Sequence, residues 1–310
     1  MKLRRLGKTQ LLASEIALGT VELGMDYGIP TDGGNLRPTE ADAIRVLNNA
    51  LDFGINFVDT ARAYGNSEEL IGKALKHRRR DYLLATKLCP LSASDLEAPG
   101  LSGRIWESVK TSLRMLQTDH VDLLMIHSAP MEVIQRADAI LETLHSIRQA
   151  GLVRYVGASV YEEAGPAALE RGGFDCLQIA YNALDRLPES TVLPAAALKG
   201  VGIIVRSVLL KGAITSRYCD LPEPLSTLKD AVRALDVLAQ ASGISLPELA
   251  FRYVLGSDAI ALCGTARSQE LQSAIQYVSR GPLDADLIDE IRKIEICERK
   301  WLNPGNWNMP

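Results

Sequence analysis

Four side chains in this sequence have the type and setting for proton transfer at an oxygen: Asp59, Tyr64, Lys87 and His127. Asp59 and Tyr64 lie five residues apart in Ile55–Gly72, INFVDTARAYGNSEELIG, where a short apolar run gives way to a turn. Lys87 directly follows Tyr82–Thr86, YLLAT, and His127 directly follows Val121–Ile126, VDLLMI. A buried lysine is costly unless paired, and Asp59 supplies a partner. A cation beside a phenol favours the phenolate, which suits Tyr64 to general acid/base work near neutral pH. Taken alone, the first segment reads equally well as a plain strand–loop–helix connection with a chance Asp and Tyr. The two later runs decide for a site, because three strands then deliver Asp, Lys and His to one rim. His77, His120 and His145 have no comparable position.

Positioning those groups requires a parallel sheet, since active sites of parallel α/β proteins gather at the C-terminal edge of the strands. Strand-like runs are expected at Ile16–Leu18, Ile55–Val58, Tyr82–Thr86, Val121–Ile126, Val153–Gly157, Cys176–Ala180, Gly202–Val205 and Ala259–Leu262. Helical periodicity lies between most of them. Thr39 is expected to cap a helix with Ile44, Leu47 and Leu51 inward. The helix Ser102–Gln117 aligns Ile105, Val109, Leu113 and Leu116, and Ser226–Ala241 aligns Leu228, Val232, Leu235 and Leu238. Eight strands nearly all joined by helices predict a closed (β/α)8 TIM barrel, a single domain over residues 1–310. An open doubly wound sheet would want a glycine-rich dinucleotide turn after its first strand. Gly19-Thr20-Val21-Glu22-Leu23-Gly24 lacks that spacing and leads into a loop. Residues 2–15 contain a hairpin signal around Gly7-Lys8-Thr9.

A length of 310 residues and 47% hydrophobic content suit such a barrel, and a net charge of −4 makes no general case for nucleic acid. The one basic cluster, Lys76-His77-Arg78-Arg79-Arg80, is expected as a solvated connection, with an anion site as the other reading. Five cysteines without a Cys-x-x-Cys pair argue against a disulfide framework or structural zinc and fit a reducing cytoplasm. Lys8 and Glu15 interrupt the only segment resembling a signal peptide, and no run is long enough to span a membrane.

DTARAYGNSEELIG, ATK ending one strand and MIH ending the next resemble the aldo-keto reductases. The resemblance continues through LGTVELGMDYG, GLVRYVGAS, LQIAYN and CGTARSQEL, covering nearly the whole chain in order. It implies a bacterial-type, monomeric (β/α)8 NAD(P)H-dependent oxidoreductase whose tetrad is Asp59, Tyr64, Lys87 and His127, with the hairpin closing the barrel bottom. The sequence itself sets no oligomeric state. Nothing in it suggests a metal or a flavin clamp.

The resemblance also implies a nicotinamide site with Ser159 and Gln178 at the carboxamide and Thr20, Val21 and Asp59 beside it. Three positions depart from the family pattern: Val160, Arg206 where an aromatic ring often stacks on the nicotinamide, and Ala274. A guanidinium can stack on a planar ring, so Arg206 is kept as a candidate. The turn Ser207–Gly212, with Leu209, offers backbone N–H groups to phosphate. Gly264-Thr265-Ala266-Arg267-Ser268 leads into a helix and offers an anion site at its N-terminus. Arg267 suits a 2′-phosphate and Glu270 a free 2′-hydroxyl, so NADP(H) is preferred while NAD(H) stays open.

Substrate contacts are expected from Asp26, Tyr27, Tyr218, Trp301 and Trp307, and the polar segment Asp26–Pro38 as a flap over the rim. The implied partner is a small carbonyl or alcohol: an aldehyde, a ketone or a sugar. Two other roles stay open, a redox-sensing regulatory subunit that binds the cofactor and an NAD-dependent sugar or alcohol dehydrogenase.

Overall fold

The computed structural model describes residues 1–29 and 37–307. At the N-terminus β1, Leu3–Arg5, pairs antiparallel with β2, Leu12–Ser14. Eight parallel strands follow: β3 Ile16–Gly19, β4 Phe57–Asp59, β5 Leu83–Lys87, β6 Val121–Ala129, β7 Val153–Val160, β8 Cys176–Ala180, β9 Gly202–Arg206 and β10 Ile260–Gly264. They close in chain order, β10 pairing with both β9 and β3. The open doubly wound sheet is thereby excluded.

Strand alternation builds two cores. Phe57, Ala85, Leu123 and Met125 belong to the cluster inside the barrel, whereas Val58, Leu84, Leu124 and Ile126 pack in the layer beneath the helices. The helix Leu101–Leu116 buries Ile105, Val109, Leu113 and Leu116 in that outer layer. The helix Ser226–Ala241 buries Leu228, Val232 and Leu235, with Leu238 half-buried. Each such aliphatic side chain contributes roughly 1.5–3 kcal/mol. Thr39 caps the helix Glu40–Asp52 by accepting from the Asp42 N–H.

The hairpin plugs the inner core with Leu6 and Leu11. Its turn lies so close to β9 that a Cβ on Gly7, whose φ is +59°, would come within 2.3 Å of the Gly202 nitrogen. Only glycine fits there. The Lys8 N–H donates to Gly200 O at 2.8 Å across the same contact.

Some expectations need adjusting. β5, β6 and β7 run further than their apolar runs, so Lys87, His127 and Ser159 lie within strands rather than just beyond them. The basic cluster forms tight 3-10 turns over Lys76–Asp81. Within it Arg79 Nη2 meets Asp122 Oδ2 at 2.8 Å, and the same carboxylate oxygen accepts from the Leu84 N–H at 2.9 Å. Arg79 is thus a clasp between β5 and β6 rather than a solvated charge. Of the expected flap, residues 30–36 lie outside the described residues. Among the described residues, no helix is long and apolar enough to cross a membrane.

Candidate active site

β4 ends on Asp59, whose side chain is 2% exposed and meets Lys87 Nζ of β5 at 2.6 Å. Lys87 also donates to Thr60 O at 2.9 Å. Burial works against the charged form of Lys87, but the charges of Asp59 and Tyr64 outweigh it and hold the ammonium above the usual lysine range. The other Asp59 oxygen accepts from Gln178 Nε2 at 2.9 Å. Both carboxylate oxygens are therefore committed, which fixes the Lys87 head group at the barrel mouth.

The loop between β4 and the helix Ser67–Leu75 carries Tyr64. Its footing is a buried hydroxyl group. Ser67 Oγ lies 2.9 Å from Thr60 Oγ1 and donates to Thr20 Oγ1 at 2.7 Å. Asn66 occupies the cap position of this helix, and Ser67 is its first residue. Glu68, 1% exposed at its side chain, takes Arg62 Nη1 at 2.5 Å and accepts from Thr86 Oγ1 at 2.7 Å. This buried carboxylate ties the Tyr64 loop to the residue beside Lys87. From sequence alone a carboxylate in a first helical turn reads as a partner of the helix dipole and gives no sign of burial.

His127 sits at an irregularity in β6, where the register against β7 shifts between Ile126 and Ala129 and Ser128 takes φ +46°. Such bulges re-aim a side chain at a strand end. The His127 and Tyr64 rings meet edge-on, 5.4 Å between centroids at 81°, with Lys87 Nζ 5.0 Å from the Tyr64 ring centre. Burial first, then Lys87 and Arg206, push the imidazole down to about 3, so it is neutral at physiological pH. Its Nδ1 is buried with no hydrogen-bond partner among the described residues.

Tyr64 and His127 line one end of a cleft of about 820 Å³. Thr20, Val21, Asp59, Ser159, Gln178, Arg206, Ser207, Leu209, Gly212, Gly264, Thr265, Arg267 and Glu270 all line the same cleft. The turn after β9 concentrates left-handed backbone, with φ of 62° at Ser207, 46° at Leu210, 56° at Lys211 and 96° at Gly212. Non-glycine residues adopt this conformation at a cost, and successive turned N–H groups form a concavity for an anion. With hydroxyl and guanidinium donors at Thr265 and Arg267, the residues present fit a nicotinamide dinucleotide. Arg206 already stacks on Tyr161, its guanidinium 3.7 Å from the ring centre, and donates to Val160 O at 3.2 Å. Arg267 Nη1 meets Glu270 Oε1 at 3.1 Å, and Thr265 Oγ1 donates to the other Glu270 oxygen. Ala274 is buried in the core, while Ser273 and Tyr277 of the same helix line the cleft.

Of the five substrate candidates, Tyr27 lines the cleft and the others stand outside its lining. Asp26 is exposed, and the Tyr218 hydroxyl donates to Asp236 Oδ2 at 3.2 Å. Trp301 donates to Glu298, and Trp307 Nε1 donates to Trp301 O at 2.8 Å, which packs the chain end on itself. The lining adds Tyr161, Arg217 and Glu22, which the sequence did not single out for a site, and Lys211 from inside the expected phosphate turn Ser207–Gly212. Tyr161 directly follows Val160, and that adjacency was its only available signal.

The profile of the Aldo/keto reductase family matches residues 15–296. The uncharacterized oxidoreductase YqkF of Bacillus subtilis is 28% identical over 316 residues, covering 94% of this chain and 96% of that protein. The NADH-specific methylglyoxal reductase of Escherichia coli is 28% identical over 332 residues, covering 96% of this chain and 100% of that protein. Among solved structures, the aldo-keto reductase AKR11C1 from Bacillus halodurans in its holo form has a TM-score of 0.77 at 30% identity, covering 95% of this chain and 96% of that one. A closed parallel barrel, an acid–lysine–tyrosine–histidine cluster at its mouth and a match over most of the length agree: the chain belongs to the aldo/keto reductase family.

Proposed function

We propose that this chain is a single-domain, NADP(H)-dependent enzyme that reduces a small aldehyde, ketone or sugar, or oxidises the matching alcohol, with Tyr64 as general acid/base. The dinucleotide, when bound, supplies or accepts the hydride at the carbonyl carbon. Tyr64 gives its proton to the carbonyl oxygen, and Lys87 stabilises the phenolate left behind. Asp59, fixed by Gln178 at 2.9 Å, keeps that ammonium in place. His127, neutral because burial and two cations hold it down to about 3, offers an N–H that orients the carbonyl oxygen. Positioned acid/base groups of this kind contribute roughly 10²–10⁴-fold. The five free cysteines suit a reducing, cytoplasmic setting.

The observation that supports this reading is the convergence of Tyr64 and His127, edge-on at 5.4 Å, above the Asp59–Lys87 pair. NAD(H) is the second reading, favoured by Glu270 in the cleft wall and by a relative named as NADH-specific. Turnover of a generic aromatic aldehyde with NADPH and with NADH tests both. Tyr64→Phe is expected to bind cofactor like the parent and to lose about 10²–10⁴-fold in kcat. Parent-like turnover by Tyr64→Phe overturns the assignment.

A further inference from the structure

The hydride chemistry leaves one charge arrangement in the cleft unused. Glu22 stands in the short helix Val21–Gly24 directly after β3 and lines the cleft wall. Its carboxyl lies over the end of β10: a Cβ built on Gly264 would meet Glu22 Oε1 at 3.5 Å. Glu270, in the first turn of the helix Ser268–Ser279, lines the same wall. Arg267, the nearest guanidinium in sequence, is already engaged with Glu270 at 3.1 Å. Two carboxylates therefore share the stretch of cleft that must accommodate a ligand carrying at least a pyrophosphate.

We propose that Glu22 is a binding residue for the dinucleotide that takes up one proton from solvent as the cofactor enters, so that the complex holds Glu22 as a neutral acid. The proposal rests on the cofactor reading above and adds to it how the cleft accepts a polyanion beside two carboxylates. An incoming anion in a half-buried site makes a second like charge expensive, and neutralising one carboxyl is the least costly response. The neutral acid also has an O–H to donate, which a carboxylate lacks. No bond other than the new O–H changes.

The charged neighbours support the choice of Glu22 over Glu270. Burial, then Glu270, raise the Glu22 carboxyl to about 7, against the opposing pull of Arg217, Arg267 and the Ala266 N–H. The other titratable groups that face it are Tyr27, pushed up to about 12 by burial, and Cys263, also pushed up by burial. Neither titrates in the range where a proton on Glu22 would be read.

The test is calorimetric titration of NADPH into the full chain in two buffers of different ionisation enthalpy at a pH about one unit above neutrality. The parent is expected to take up close to one proton, with Kd weakening about tenfold per pH unit above neutrality. Glu22→Gln should take up none, lose the pH dependence and bind at least as tightly at the higher pH. A parent that binds NADPH without buffer-dependent heat overturns the proposal and leaves the cofactor reading standing. Uptake that persists in Glu22→Gln but vanishes in Glu270→Gln overturns it too, by moving the proton to Glu270. A parent that binds neither NADPH nor NADH at any pH overturns the cofactor reading and this proposal together.

Discussion

Glu68 Oε1 accepts from Thr86 Oγ1 at 2.7 Å, one residue from Lys87, while Oε2 holds Arg62, two residues before Tyr64. A single buried carboxylate therefore ties the loop that carries Tyr64 to the strand that carries Lys87. Glu68→Ala is expected to destabilise the chain by about 1–3 kcal/mol, because Thr86 is left buried without its acceptor. It should also lower kcat more than cofactor affinity. Glu68→Gln, which keeps an acceptor for Thr86, should recover part of both. Chemical denaturation beside steady-state kinetics reads the two effects, and an unchanged kcat in Glu68→Ala would reduce Glu68 to a purely structural group.

Lys87 and Asp59 are expected to behave as one unit. Lys87→Met leaves a carboxylate buried and unpaired, a loss of about 3–5 kcal/mol, and Asp59→Asn leaves the ammonium in the same position. The double variant should be more stable than either single one. Because the folded state holds Lys87 above its ordinary value of 10.5, the pair's contribution is present below that pH and is lost as pH rises beyond it. Additive losses in a double-mutant cycle would mean the two groups are not coupled.

His127 gives stability the opposite dependence. The folded state lowers its value from 6.5 to about 3, so the unfolded chain binds the proton more readily. The contribution is intact above 6.5 and is lost as pH falls below it. Acidifying from neutrality to about pH 5 should remove on the order of 2 kcal/mol. His127→Gln should flatten that part of the stability curve, and the same acid loss in His127→Gln would assign it to other groups.

Arg267 and Glu270 are paired at 3.1 Å with side chains 63% and 50% exposed. A pair so exposed is worth less than about 1 kcal/mol, so Arg267 can leave Glu270 for a phosphate at little cost. Arg267→Ala is expected to weaken NADPH binding about ten- to hundredfold, the loss of one charge-assisted hydrogen bond, and to leave NADH nearly unchanged. Fluorescence titration decides. If Arg267→Ala binds NADPH as the parent does, the preference for NADP(H) loses its main support.

The barrel and the four groups at its mouth were legible in the primary structure because both follow from local pattern. Apolar runs ending on Asp59, Lys87 and His127 mark strands that emerge at one rim, and strand alternation with helical periodicity marks the layers around them. What depended on long-range approach was hidden. The Glu68–Thr86 bond, the stacking of Arg206 on Tyr161 and the Glu22–Gly264 contact join residues from different elements of the barrel, whose mutual positions no spacing encodes. The neutral state of His127 belongs to the same class. It arises from burial and from cations 40 and 79 residues away along the chain, at Lys87 and Arg206. Strand order follows from short-range sequence pattern, whereas charge state follows from the packing of distant parts, and only the tertiary structure decides it.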